Sequence, residues 1–178
     1  MNLTTLPYGW IVIIWFAVLG MCVGSFANLI CYRWPIIRRL GKYEDGIKLQ
    51  ELLKKHGKFS LASPRSACPC CDTPVKVRYT VPVLGWLILK GRCGACGDRI
   101  SWRYPAIELL FGVFFAAYVL VEGVWPAGLM SLPMMFIAFC FLSIRVQTGR
   151  FLAPLVWAYA LAFGTQVLLT HLGFSAYA

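Results

Sequence analysis

Four stretches of the chain are apolar for long enough to cross a bilayer, whose hydrocarbon core of about 30 Å needs roughly 20 residues of helix. They cover about residues 9–32, 104–121, 127–144 and 151–172. The first contains no charge, and the second contains one acid, Glu108, near its start. The first is too long for a signal-peptide core and has no basic residue before it, so it reads as a retained span. Four such runs in one short chain leave too little else to bury them as soluble helices.

Between the first two runs the pattern changes twice. Residues 36–58 predict a basic amphipathic helix or helix pair, in which Ile47, Leu49, Leu52 and Leu53 interleave with Lys48, Glu51, Lys54 and Lys55. Such a stretch lies along headgroups or packs on its neighbours, and both remain open. From Ser60 the chain turns to Pro64, Pro69, Pro74 and Pro82 with Gly85, Gly91, Gly94 and Gly97, the composition of short turns and small strands. The predicted fold is an all-α integral membrane bundle of about four transmembrane helices with a small zinc-ribbon-like insert. Residues 1–32 carry the first span, 33–103 the insert and 104–178 three further spans.

Composition agrees with the bilayer as solvent. Of the 178 residues 60% are hydrophobic and 13% charged, against about half and a quarter in soluble domains. Net charge is +10, and all but Arg145 and Arg150 of the 17 lysines and arginines lie between Arg33 and Arg103. Positive-inside bias places both basic segments in the cytoplasm and both termini outside. An alternating four-span path independently puts the two segments on one side. A basic insert also suits nucleic acid, but beside membrane helices topology and anionic lipid explain it. Membrane lipids are therefore the expected partners, and nucleic acid is not.

Cys68-x-x-Cys71 and Cys93-x-x-Cys96 stand 21 residues apart. Two knuckles at this spacing predict a tetrahedral zinc site with four thiolate ligands. Each two-residue gap lets a tight turn aim two sulfurs at one ion. A reducing cytoplasm argues against disulfides, the main rival. Four thiolates leave no position for water, so the predicted Zn2+ is structural. Cys70 is expected to be a bystander. Cys22, Cys31 and Cys140, in or beside the spans, read as small packing residues.

Further motifs accompany the knuckles: Gly24-Ser25-Phe26-x-Asn28, Tyr32-Arg33-x-Pro35, Pro64-Arg65-Ser66-x-Cys68-Pro69-x-Cys71, Pro82-x-Leu84-x-Trp86-Leu87, Gly91-Arg92-Cys93 and Arg103-Tyr104-Pro105-x-x-Glu108-Leu109. Over about residues 20–112 the chain resembles the type IV prepilin peptidase family. These bifunctional membrane enzymes of type IV pilus and type II secretion systems cut a leader from prepilins. They then methylate the new N-terminal amine with S-adenosyl-L-methionine. In the family two membrane aspartates cut, one at the cytoplasmic end of a later helix and one in a Gly-x-Gly-Asp motif. Here the last aspartate is Asp98, and the segment Leu142–Arg150 stands where the first is expected. The chain also departs at Thr80-Val81-Pro82, where the family usually has Asn-Ile-Pro, and at Arg39, near which it often has a glutamate.

Aspartyl proteolysis needs two carboxylates sharing a proton. No such pair stands in the spans of this sequence, so the resemblance implies N-methylation without cleavage, in a bacterial inner membrane. The implied partner is a type IV pilin or pseudopilin N-terminal helix, with an intact prepilin peptidase as a further candidate. The alternative is a non-enzymatic adaptor. Glu108 is the candidate catalytic base or charge partner, since an intramembrane acid is a functional hypothesis by default. A salt bridge to Arg33 or Arg103 is its structural alternative. Ser25, Asn28, Arg33, Gly91 and Arg103 are candidates for binding cofactor or substrate. Helix packing is the competing reading for Ser25 and Asn28, interface anchoring for the arginines, and a turn for Gly91.

Overall fold

In the computed structural model, which describes residues 9–124 and 126–172, the apolar runs become helices. In chain order these are α1 (Gly9–Ile37), α2 (Ile47–His56), α3 (Leu84–Ile88), α4 (Arg103–Glu122), α5 (Pro126–Leu129), α6 (Ser131–Thr148) and α7 (Ala153–His171). Four of them, α1, α4, α6 and α7, are long and apolar enough to cross a membrane. Among the described residues there is no strand. The small strands expected in the insert reduce to isolated antiparallel bridges, Ala67 with Pro74 and Arg92 with Arg99.

Two boundaries differ from expectation. The first helix runs past Tyr32 to Ile37 and takes Arg33 and Pro35 with it. Proline removes one backbone donor and ordinarily ends a helix. Here burial of Pro35 and Ile36 holds the last turn, while Arg33 is clamped by the insert. Of the amphipathic stretch expected over 36–58, the only α-helix beyond the end of α1 is Ile47–His56, because Gly41 and Gly46 turn the chain at positive φ. The third span is also displaced: the helix breaks after Leu129 and resumes at Ser131.

The close pair is α1 with α4. Gly20 and Gly24 form a Gly-x-x-x-Gly step on α1, the small-residue spacing that lets membrane helices touch. A Cβ at Gly24 would lie 2.9 Å from the Cα of Glu108, and one at Gly20 would lie 2.5 Å from the carbonyl oxygen of Phe111. Asn28 Nδ2 donates to the carbonyl of Tyr104 at 3.2 Å, one turn further along the same seam. Phe111 and Phe115 fill the core behind it, and the Phe139 ring of α6 meets Phe111 edge-on at 5.2 Å. Replacing Gly24 by leucine should therefore lower the thermal midpoint in detergent, at an overpacking cost of about 1–3 kcal/mol. Gly164→Leu, on α7 with nothing within 4 Å of its added Cβ, should leave the midpoint unchanged or raise it.

The insert and the third connection meet at one end of the bundle. Arg150 Nε donates to Glu44 Oε1 at 3.1 Å, and Gly41 lies against Thr148, whose Cα would be 2.8 Å from a Cβ there. The two basic segments are thus on the same side of the spans, as positive-inside bias requires.

Candidate functional site

The cysteine quartet converges. The Sγ atoms of Cys68, Cys71, Cys93 and Cys96 all lie within 4.8 Å of one another, with Cys68–Cys96 at 3.7 Å and Cys71–Cys93 at 3.9 Å. A zinc tetrahedron with bonds of about 2.3 Å has edges near 3.8 Å, so the quartet fits the ion. Cys70 is exposed and outside the cluster.

The two halves of the cluster are built alike, offset by 25 residues along the sequence (68 to 93). The Cys68 amide donates to Thr73 O and the Cys93 amide to Asp98 O. Ser66 O accepts from Val75 N, as Gly91 O accepts from Ile100 N. Each knuckle closes on a residue at positive φ, Asp72 (55°) and Gly97 (73°). The loops aim donors at sulfur. Thr73 holds the Cys71 thiol down to about 6, through its hydroxyl first and then its amide. The amides of Cys96 and Ala95 lower Cys93. At Cys96 the Asp98 amide lowers the pKa, but the crowding sulfurs outweigh it and push the thiol up to about 12. Four adjacent thiols cannot all ionise without a cation among them, and a divalent metal removes that conflict.

The second cluster lies where the insert meets the α1–α4 seam. Arg33 is buried, donating from Nη1 to Ser60 O at 2.7 Å and Leu61 O at 3.3 Å, and from Nη2 to Pro64 O at 2.7 Å. The Phe59 ring lies 5.5 Å from its guanidinium carbon. Its two terminal nitrogens thus hold the segment that leads into the first knuckle. Glu108 is also buried, and its Oε2 accepts the backbone amide of Val83 at 2.6 Å. Among the described residues it pairs with neither Arg33 nor Arg103. Its other oxygen makes no hydrogen bond within the described protein and is not sealed from its surroundings.

Val83 itself has φ of 61°, an outlying conformation for a β-branched residue. The carboxylate thus secures a strained turn at the start of α3. Sequence reasoning missed this role, since the partner is a main-chain amide and the strain leaves no mark in residue type. Gly91 sits just beyond α3 at φ 67°, and a Cβ there would meet the Trp86 ring at 2.7 Å. Trp86 Nε1 donates to Ile100 O at 3.0 Å, so Gly91, Trp86 and the second knuckle form one unit. Asn28 bridges to α4, while Ser25 is half-buried beside Gly24. Arg103 is exposed and makes no ion pair with Glu108. It lines an open groove of about 520 Å³ between α4 and α6 with Ile107, Leu110, Phe139, Ser143 and Gln147.

A multi-span helical membrane protein with a four-cysteine metal-type centre on one inter-span insert is the class that fold and site define. The profile of the Bacterial Peptidase A24 N-terminal domain matches residues 18–121. The chain belongs to the type IV prepilin peptidase family, a family of enzymes. A type 4 prepilin-like proteins leader peptide-processing enzyme of Escherichia coli O78:H11 is 38% identical over 126 residues, covering 67% of this chain and 42% of that protein. A prepilin leader peptidase/N-methyltransferase of Dickeya chrysanthemi is 32% identical over 165 residues, covering 86% and 56%. The enzyme of that name in Neisseria gonorrhoeae is 34% identical over 149 residues, covering 79% and 52%. The chain spans about half the length of these relatives. No solved structure matches it.

Proposed function

We propose that this chain methylates the N-terminal amine of cleaved type IV pilins or pseudopilins, and that these 178 residues do not cut the leader. The observation that carries the reading is Glu108, a buried carboxylate at the insert end of the spans, unpaired with any arginine and with one oxygen open. The N-methyltransferase half of the relatives' names supports it. Within the given residues no second acid stands near Glu108 to complete a proteolytic pair.

S-adenosyl-L-methionine, when bound, supplies an electrophilic methyl group. A carboxylate open on one oxygen suits both an amine and a cationic sulfonium, so the donor chemistry at Glu108 fits the group. Glu108 accepts a proton from the pilin amine, whose pKa is roughly 7.7–8.0, and fixes the nitrogen. Methyl transfer then depends chiefly on positioning. Asn28 and Ser25 line the same face of α1 and orient substrate. Arg33 and Gly91 act as positioning residues through the insert. Arg103, at the mouth of the α4–α6 groove, meets the polar end of an apolar pilin segment lying along that groove.

The chain sits in the bacterial inner membrane with the insert cytoplasmic and both termini outward, which places Glu108 where a freshly cut pilin N-terminus emerges. Zn2+ orders the insert and takes no chemical step. The test is the mass of a mature pilin N-terminus made by a peptidase whose methylation is disabled, with and without this chain and with and without S-adenosyl-L-methionine. A cofactor-dependent gain of one methyl group is expected. Cut pilin that stays unmethylated beside folded chain, across several pilins, overturns the reading in favour of an adaptor.

A further inference from the structure

From Tyr79 to Leu89 the insert carries no charge, while Arg78 precedes the stretch and Lys90 and Arg92 follow it, all three exposed. An apolar run of this length is too short to span and too long for an ordinary turn. Runs of about 10–14 residues serve as core helices, re-entrant segments or interfacial segments. The core alternative fails on exposure: Leu84 is 55% exposed, Leu87 54%, Ile88 62% and Val81 48%. Leu84, Leu87 and Ile88 share one face of α3 by their spacing. The opposite side is the packed one, with Gly85 against the Tyr79 carbonyl and Trp86 against Gly91.

The bond to Glu108 fixes the depth of this segment. Glu108 lies five positions into α4 from Arg103, or about 7 Å along the axis at 1.5 Å per residue. It faces Gly24 of α1, and Arg33 stands nine positions further toward the insert, about 13 Å higher by the same rise. The insert therefore leaves its attachment at Arg33 and descends beside the bundle until Val83 reaches a residue already inside the second span. Exposed Trp102 and Tyr104 mark the entry of that span, the belt level for amphipathic rings.

We infer that α3 is an interfacial membrane anchor: Val81, Leu84, Leu87 and Ile88 bury in the acyl boundary of the leaflet on the insert side, and Arg78, Lys90 and Arg92 pair with anionic headgroups. An apolar face flanked by basic residues binds such a surface by area and by charge together. Glu108 sets the depth of the anchor by holding the Val83 amide.

The test uses the full chain in phosphatidylethanolamine–phosphatidylglycerol vesicles containing a lipid with a diazirine near the glycerol end of its acyl chain. After illumination, peptides are mapped by mass spectrometry. Adducts are expected between Val81 and Ile88 as well as on α1 and α4. Leu87→Asp with Ile88→Asp should reduce adducts in this segment by roughly tenfold, with zinc content and α4 adducts retained. If that variant loses its metal, the milder Leu87→Asn makes the same comparison. Adducts confined to the long helices, adducts indifferent to a substitution that keeps its zinc, or cross-links from this segment to another protein chain in place of lipid would each overturn the anchor.

Discussion

Cys93→Ser will empty the metal centre and collapse the insert while leaving the four-span bundle in the membrane. Between residues 57 and 102 only Cys68, Gly85 and Gly91 are buried. Two of these have no side chain and the third belongs to the cysteine cluster, so this part of the insert has no apolar core to fall back on. In such domains the free energy of metal binding is folding free energy. Bound zinc should drop from one ion per chain to none, and protease should cut between the knuckles. Abundance in cells should fall several-fold, as for any loss of marginal stability. Cys68→Ser should match it, and Cys70→Ser should match the unaltered chain, since Cys70 lies outside the cluster. Acidification should release the metal and higher pH retain it, because every ligand must be a thiolate to bind. Elemental analysis of purified chain across pH, with limited proteolysis, reads both effects. A Cys93→Ser chain that stays zinc-free yet protease-resistant would show that the insert is held by something other than the ion.

The spans and the four-cysteine cluster were legible because each rests on a local rule. A bilayer demands length and apolarity, and a knuckle demands two cysteines at one spacing. The knuckle repeat also extends to matching hydrogen bonds at a constant offset. The end of the first helix was not legible, since Pro35 ordinarily stops a helix, and burial of Pro35 and Ile36 with bonds from Arg33 to the distant Ser60–Pro64 carbonyls overrides it. The partner of Glu108 was equally hidden. The structural alternative offered by the sequence was an arginine, whereas the carboxylate is met by a main-chain amide 25 residues back in the chain. The Gly20–Gly24 step takes its meaning only from the helix it faces, α4. The same holds for residues 79–89: their lack of charge is plain in the sequence, while their depth follows only from the contact with α4.

If the proposed reaction is the chain's own, Glu108→Gln will cut methylation steeply without loosening α3, and Glu108→Ala will do both. The carboxylate has two separable duties. One is to accept the Val83 amide, which an amide oxygen of glutamine can also do. Alanine leaves that partly buried donor unmet, at a cost of at most about 1–3 kcal/mol, with the outlying φ of Val83 left unsupported. The other duty, in the proposed reaction, is to take a proton, which glutamine cannot do. Loss of a general base costs about 10²–10⁴ in rate, so both variants should lie that far below the unaltered chain in single-turnover methylation of a cut pilin. Amide hydrogen exchange at Val83 and Leu84 should stay slow in the glutamine variant and quicken in the alanine one. The pH profile separates the chemistry further. Residual turnover in Glu108→Gln must await spontaneous loss of the amine proton, so it should climb about tenfold per pH unit below the amine pKa of roughly 7.7–8.0, more steeply than in the unaltered chain. A glutamine variant that methylates at the unaltered rate would confine Glu108 to seating α3 and move the search for the base to other residues at the insert end of the bundle.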